Sequence, residues 1–259
     1  MVAEGPPRIV SLVPSLTELL VDLGLVDRLV GRTGYCIHPE QAVGGIPKVG
    51  GTKTVNIEKI RRLAPTHLVV NLDENRADTV QALRAYVPHV LETHPLTPGD
   101  NPALIDQMVD AFGALPGVRT RATALQQQLG HALAGFAREP VVAQRVLYLI
   151  WKDPWMTVAR DTYISAMLAL IGWQTWPAVT GGPTGAARYP VVDLEAAAAA
   201  GVQRVLLSSE PYAFSAADEA ELAARMPGAR VQHVDGELLS WYGSRAVRGL
   251  AALHTLASG

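Results

Sequence analysis

The chain has 259 residues, of which 49% are hydrophobic, enough for one large domain or two small ones that bury about 70–75% of the unfolded surface without staples. A formal net charge of −2 with no basic stripe argues against a nucleic-acid partner, and the single cysteine, Cys36, excludes an intramolecular disulfide. No apolar run reaches the roughly 18 residues of a membrane-crossing helix. The opening Met1-Val2-Ala3-Glu4-Gly5-Pro6-Pro7 has no basic region followed by an apolar stretch, so it does not read as a secretory leader. The expectation is a periplasmic or cell-envelope protein if a leader has been removed ahead of it, and a cytoplasmic one if Met1 is the native start.

In chain order, apolar runs predict strands at 9–12, 67–71, 87–92, 146–150, 204–207 and 230–234, with amphipathic helical stretches between them. This alternation predicts parallel α/β sheets. Ser15-Leu16-Thr17-Glu18 reads as a capping box opening the first helix, with Leu16, Leu19, Leu20 and Leu23 on one face and Gly24 as its stop. Midway, 116–139 carries Leu125, Leu129, Leu133 and Phe136 at helical spacing, opened by Pro116-Gly117 and closed by Pro140. A helix of roughly 22 residues there would span about 33 Å.

The stretches on either side of this helix resemble each other. Ile57-Glu58-Lys59-Ile60, then His67-Leu68-Val69-Val70-Asn71-Leu72-Asp73-Glu74, matches Leu194-Glu195, then Arg204-Val205-Leu206-Leu207-Ser208-Ser209-Glu210, in order of helix, buried strand and acidic loop. Two similar units account for this, and so does the general likeness of any two helix–strand pairs. The expected architecture is two Rossmann-like α/β lobes, each with a central mostly parallel sheet, joined by one long α-helix. The expected boundaries are an N-terminal lobe 1–115, a linker helix 116–140 and a C-terminal lobe 141–259.

Enzyme motifs are missing where they would be needed. The glycine-rich Gly44-to-Lys53 stretch lacks the Gly-Lys-Ser/Thr end of a phosphate loop. Ser11-Leu12-Val13-Pro14-Ser15 stands where a dinucleotide fold would place G-x-G-x-x-G. The seven histidines show no zinc spacing. The aromatics say more. All five tryptophans fall in the second half, and Trp151, Trp155 and Trp241-Tyr242 follow predicted strand ends beside Pro, Gly and charged residues. Open α/β sheets bind ligands on loops at the carboxyl ends of strands. Tyr35 and His38 occupy a similar loop in the first half. Such side chains suit a flat, apolar ligand with a polar edge. Core packing is the competing reading, favoured for Trp173 and Trp176 beside the helix stop Gly172; His38 reads either as an ordinary loop histidine or as an axial metal ligand.

Taken together, Arg8-Ile9-Val10-Ser11-Leu12-Val13-Pro14-Ser15, Gly31-Arg32-Thr33-Gly34-Tyr35-Cys36-Ile37-His38-Pro39, Ile150-Trp151-Lys152-Asp153-Pro154-Trp155-Met156 and Ser240-Trp241-Tyr242-Gly243-Ser244-Arg245 resemble the metal-chelate solute-binding proteins of ABC importers whose lobes are joined by a single helix. Within that family the chain is most similar to cobalamin-binding proteins. The resemblance implies a non-enzymatic protein with no catalytic residues or cofactor. It implies a corrinoid held between the lobes, lined by Tyr35, His38, Trp151, Trp155, Trp241, Tyr242 and Arg245, with Tyr35 or His38 as the candidate axial ligand. It further implies that one acid per lobe, Glu74 and Glu210 with Asp73 as the alternate, pairs with arginines on a permease dimer; solvated loop carboxylates are the plainer reading. A monomer is expected. Haem or a ferric siderophore as the ligand, and a cytoplasmic corrinoid-handling role, stay open as alternatives.

Overall fold

A parallel strand covered on both faces reads as a continuous apolar run, and His67–Asn71 and Arg204–Ser208 are such runs, each with four buried residues in succession. In the computed structural model, which describes residues 5–136 and 142–258, each forms the centre of a four-stranded parallel sheet. The first sheet contains β1 (Ile9–Ser11), β2 (Leu29–Arg32), β3 (His67–Asn71) and β4 (His89–Thr93) in the order β2-β1-β3-β4. The second contains β5 (Gln144–Leu149), β6 (Trp173–Thr175), β7 (Arg204–Ser208) and β8 (Arg230–Val234) in the order β6-β5-β7-β8. All pairings are parallel. The two orders coincide strand for strand, so the sequence likeness between the halves extends to topology. In this order the strand connections reverse direction between β1 and β3, and between β5 and β7, which is where open α/β sheets place their ligand crevice.

The chain divides into two units. Unit 1 comprises Met1–Pro95, Asp100–Gly130 and Tyr242–Arg245; unit 2 comprises Leu96–Gly99, His131–Trp241 and Ala246–Gly259. Neither unit is a contiguous stretch of chain, since two short segments are assigned across the expected boundaries. The long helix is present as Val118–Phe136, 19 residues, or about 28 Å. The expected helix end at Glu139 and Pro140 lies outside the described residues.

The core of unit 1 gathers Val10, Leu12, Val49, Ile60, Leu68 and Val70; that of unit 2 gathers Leu147, Leu149, Val205, Leu207, Trp155 and Phe214. Each such side chain contributes roughly 1.5–3 kcal/mol by leaving water. The edge strands β2 and β6 were not anticipated. Strand β2 contains Gly31, where an added Cβ would meet Leu63 Cδ1 at 2.8 Å and Val10 Cγ2 at 3.1 Å; the glycine lets the helix Ile57–Leu63 pack onto the sheet, and it blanks the apolar signal.

The first helix, Pro14–Asp22, corrects the capping-box reading. Val13 occupies the cap position without a side-chain bond and Pro14 is the first helical residue, as its fixed φ favours. Ser15 and Glu18 therefore lie inside the helix. Glu18 turns instead to Arg245, with Nε–Oε2 at 2.7 Å and Nη2–Oε1 at 2.9 Å. A true capping box opens the helix Ala216–Arg225, where Ser215 and Asp218 bond reciprocally.

At the amino ends of β3 and β4 the register sets His67 opposite His89, with ring centres 4.7 Å apart and Phe112 against His67 at 5.0 Å. Burial, aided by the charge of His89, lowers the His67 pKa to about 4 from an ordinary 6.5. A histidine that resists protonation only when folded favours the unfolded chain as acid is added. Stability is expected to fall as pH drops from about 6.5 towards about 4, and His67→Phe should flatten that limb in denaturant titrations. An NMR titration of His67 with a midpoint near 6.5 would contradict this.

Candidate functional site

In unit 2, three loops leave the carboxyl ends of β5, β7 and β8 and carry the chemistry. The loop after β5 is closed by Met156 N donating to Trp151 O at 3.1 Å and Ile150 N donating to Met156 O at 3.0 Å. Trp151 projects from it, 42% exposed. Its ring meets Tyr212 edge-on at 5.5 Å; Tyr212 meets Phe214 at 4.8 Å, and Phe214 lies parallel to Trp155 at 6.1 Å. The four rings form a continuous wall, each contact worth about 0.5–1.5 kcal/mol beyond its buried area. Trp155 is the buried end of this wall and part of the core; Trp151 is its open end. Tyr212 and Phe214 escaped the sequence reading, although Pro211-Tyr212-Ala213-Phe214 follows the end of β7 much as Trp151 follows that of β5.

The loop after β8 turns inward. Asp235 caps the short helix Gly236–Ser240, and Gly236 allows the close approach, because a Cβ there would meet Ser208 Oγ at 2.4 Å and Glu210 Cγ at 2.8 Å. Trp241 is buried, and its indole Nε1 donates to Glu210 Oε1 at 2.9 Å, as does the Ser240 hydroxyl at 2.9 Å. Burial raises the Glu210 carboxyl above the usual carboxylate range, and these two bonds partly offset that. Beneath it, the fully buried Tyr148 donates to Ser208 Oγ at 3.0 Å. Trp173 and Trp176 belong to packing: Trp173 is buried under the Arg204 guanidinium, 4.6 Å from its ring centre, and Trp176 packs against the core of unit 2.

In unit 1, the loop after β2 is shaped by the buried Arg32. Its Nε donates to Val43 O at 2.8 Å and its Nη1 donates to Cys36 O at 2.9 Å and Thr33 O at 3.2 Å. So braced, the loop presents Tyr35, 66% exposed, and the neighbouring Ile37, with His38 half-buried. The buried Cys36 thiol, 3.0 Å from Thr33 Oγ1, is pushed above its usual pKa by burial.

The loop after β3 is held by two asparagines. Asn71 Oδ1 accepts from Asp73 N at 2.8 Å and Glu74 N at 3.3 Å, while Asn75 Nδ2 donates to Leu12 O at 3.2 Å and Thr52 O at 3.1 Å. Asp73 lies 3.4 Å from His94 Nε2, and Lys53 Nζ donates to its carbonyl. Glu74 Oε1 accepts the phenol of the buried Tyr242 at 2.8 Å, and burial next to that carboxylate raises the Tyr242 pKa. Two consecutive aromatic residues thus each donate to one of the two acids that the resemblance offers for docking: Trp241 to Glu210 within unit 2, and Tyr242 to Glu74 within unit 1. Arg245 is buried, its guanidinium occupied by Glu18. Of the residues singled out from sequence, Tyr35 and Trp151 are the most exposed aromatics; Trp155, Trp241, Tyr242 and Arg245 are buried.

The fold has known counterparts. The periplasmic vitamin B12-binding protein of Vibrio cholerae superposes with a TM-score of 0.80 at 23% identity, covering 97% of this chain and 96% of that one. The periplasmic haem-binding protein of the same species gives 0.77 at 21%, covering 98% and 99%. Identities this low speak to fold alone: two α/β lobes with parallel four-stranded sheets. Among sequence relatives, the vitamin B12-binding protein of Photorhabdus laumondii is 24% identical over 187 residues, 68% of this chain and 66% of that protein. The ABC transporter substrate-binding lipoprotein YvrC of Bacillus subtilis is 25% identical over 176 residues, 66% of this chain. The match thus spans about half to two thirds of these relatives, 55% of the Bacillus protein. Residues 9–230 match the family model described as periplasmic binding protein. With most of its length inside that match, the chain belongs to the periplasmic binding protein family, whose members are substrate-binding transport proteins rather than enzymes.

Proposed function

We propose that this protein captures a corrinoid, a cobalamin-type metal chelate, and hands it as a monomer to the permease dimer of an ABC importer in the cell envelope, making and breaking no bond. The observation that carries this reading is the wall Trp151–Tyr212–Phe214–Trp155, open at Trp151, on the strand-end face of unit 2. A macrocycle with an apolar face can stack on the open end of this wall, at Trp151 and the partly exposed Tyr212, with Phe214 and Trp155 backing them from the core. Tyr35 and Ile37 give the strand-end face of unit 1 a smaller apolar surface, with His38 beside them. The names of the B12-binding relatives lend support. Glu74 and Glu210 are the docking acids in this reading, with Asp73 as the alternate. Arg245 serves the fold rather than the ligand.

One feature favours haem as a second ligand: the exposed Tyr35 carries a phenol able to ligate iron. Absorption spectra separate the two. The corrinoid reading expects cyanocobalamin and dicyanocobinamide to be retained through gel filtration, and haemin mixed with the protein to keep the Soret band of free haemin. A shifted Soret band that reverts in Tyr35→Phe, with neither corrinoid retained, would establish haem instead.

A further inference from the structure

Lys152 lies between the two tryptophans of the loop after β5, and it is the cation there that an anionic ligand would seek. Its ammonium is already occupied. Nζ donates to Asp218 Oδ1 at 2.6 Å and to Glu221 Oε2 at 2.7 Å, lies 5.1 Å from the Trp155 ring centre, and its side chain is only 19% exposed. Both carboxylates stand on the helix Ala216–Arg225, which is anchored in turn. Asp218 closes its capping box with Ser215, and Arg225 reaches Glu221 at 3.6 Å and Glu195 at 2.6 Å. Tyr212 and Phe214 immediately precede this helix, so the ion pairs join the two halves of the aromatic wall: Trp151 and Trp155 on the β5 side, Tyr212 and Phe214 on the β7 side.

Resting on the ligand reading above, we infer that Lys152 is a positioning residue that ties the Trp151–Trp155 loop to the helix Ala216–Arg225, and is not an anchor for a ligand carboxylate. The Lys152 charge is already met by two carboxylates, one of which also meets Arg225, so a propionate or catecholate approaching it finds its positive charge spent. The wall therefore takes chelates whose rim is neutral, amide-fringed in the corrinoid case, and discriminates against polyanionic ones.

Three variants test this: Lys152→Met, Lys152→Arg and Glu221→Gln, each checked for folding by thermal melting. In ligand-free protein, acrylamide quenching of tryptophan emission should rise in Lys152→Met and return towards the wild-type value in Lys152→Arg. Cyanocobalamin affinity should fall roughly 3- to 30-fold in Lys152→Met, inside the range of coupling between groups in contact. It should fall in the same direction in Glu221→Gln, and the double variant should be no weaker than Lys152→Met alone. The inference is overturned if Lys152→Met leaves quenching and cyanocobalamin affinity unchanged, or if Glu221→Gln tightens cyanocobalamin binding. Failure of the wild-type protein to bind any corrinoid would remove the ligand reading, while the quenching of the ligand-free variants would still decide whether Lys152 positions the wall.

Discussion

Arg245→Ala is expected to destabilise the protein by roughly 3–5 kcal/mol, the cost of stranding one member of a buried ion pair, and to lower its melting temperature by about 10 °C. Arg245 and Glu18 side chains are 5% and 11% exposed and meet through two bonds of 2.7 and 2.9 Å. Removing the guanidinium leaves the Glu18 carboxylate buried on the helix Pro14–Asp22 with its main partner gone. The same pair replaced together, as Arg245→Met with Glu18→Leu, should recover most of the loss, because two apolar side chains incur no charge desolvation. If Arg245 instead bound the chelate, the single variant would melt normally and lose affinity.

The second large effect concerns docking. Glu74→Gln combined with Glu210→Gln is expected to slow association with the permease at least tenfold at low salt and to abolish transport, while chelate affinity changes less than about twofold. Charges at a docking surface act mainly on encounter rate and orientation. Glutamine suits the test better than lysine. Its amide oxygen can still accept from Tyr242 on the Glu74 side and from Trp241 and Ser240 on the Glu210 side, so the fold is kept while both charges go. Transport by this variant at the unmodified rate would reassign both acids as braces for Trp241 and Tyr242.

What could be read from sequence follows how locally each feature is encoded. The central strands are written in their own apolar residues, as in Leu68-Val69-Val70 and Val205-Leu206-Leu207, and the second copy repeats the first. The edge strands are not: Trp173–Thr175 is three residues long, and Leu29–Arg32 carries Gly31 where a branched side chain would have marked it. The Ser15-to-Glu18 spacing satisfied a capping pattern, yet the partner of Glu18 lies 227 positions away, beyond any local rule. The strand-end position of Trp151 was legible because strand ends were. That the tips of Trp241 and Tyr242 turn to Glu210 and Glu74, and that Tyr212 and Phe214 extend the wall, depends on side-chain direction, which spacing alone does not carry.

Isothermal titration of the wild-type protein and of Trp151→Ala with cyanocobalamin decides whether the Trp151 wall holds a corrinoid. One molecule should bind per chain. Affinity should weaken by about 1–3 kcal/mol in the variant, in the range for truncating an interface anchor, while the melting temperature falls by only a few degrees, since Trp151 is the exposed end of the wall and gives up a single ring contact. Absence of heat with the wild type, or equal affinity for the two proteins, would overturn a corrinoid held at Trp151.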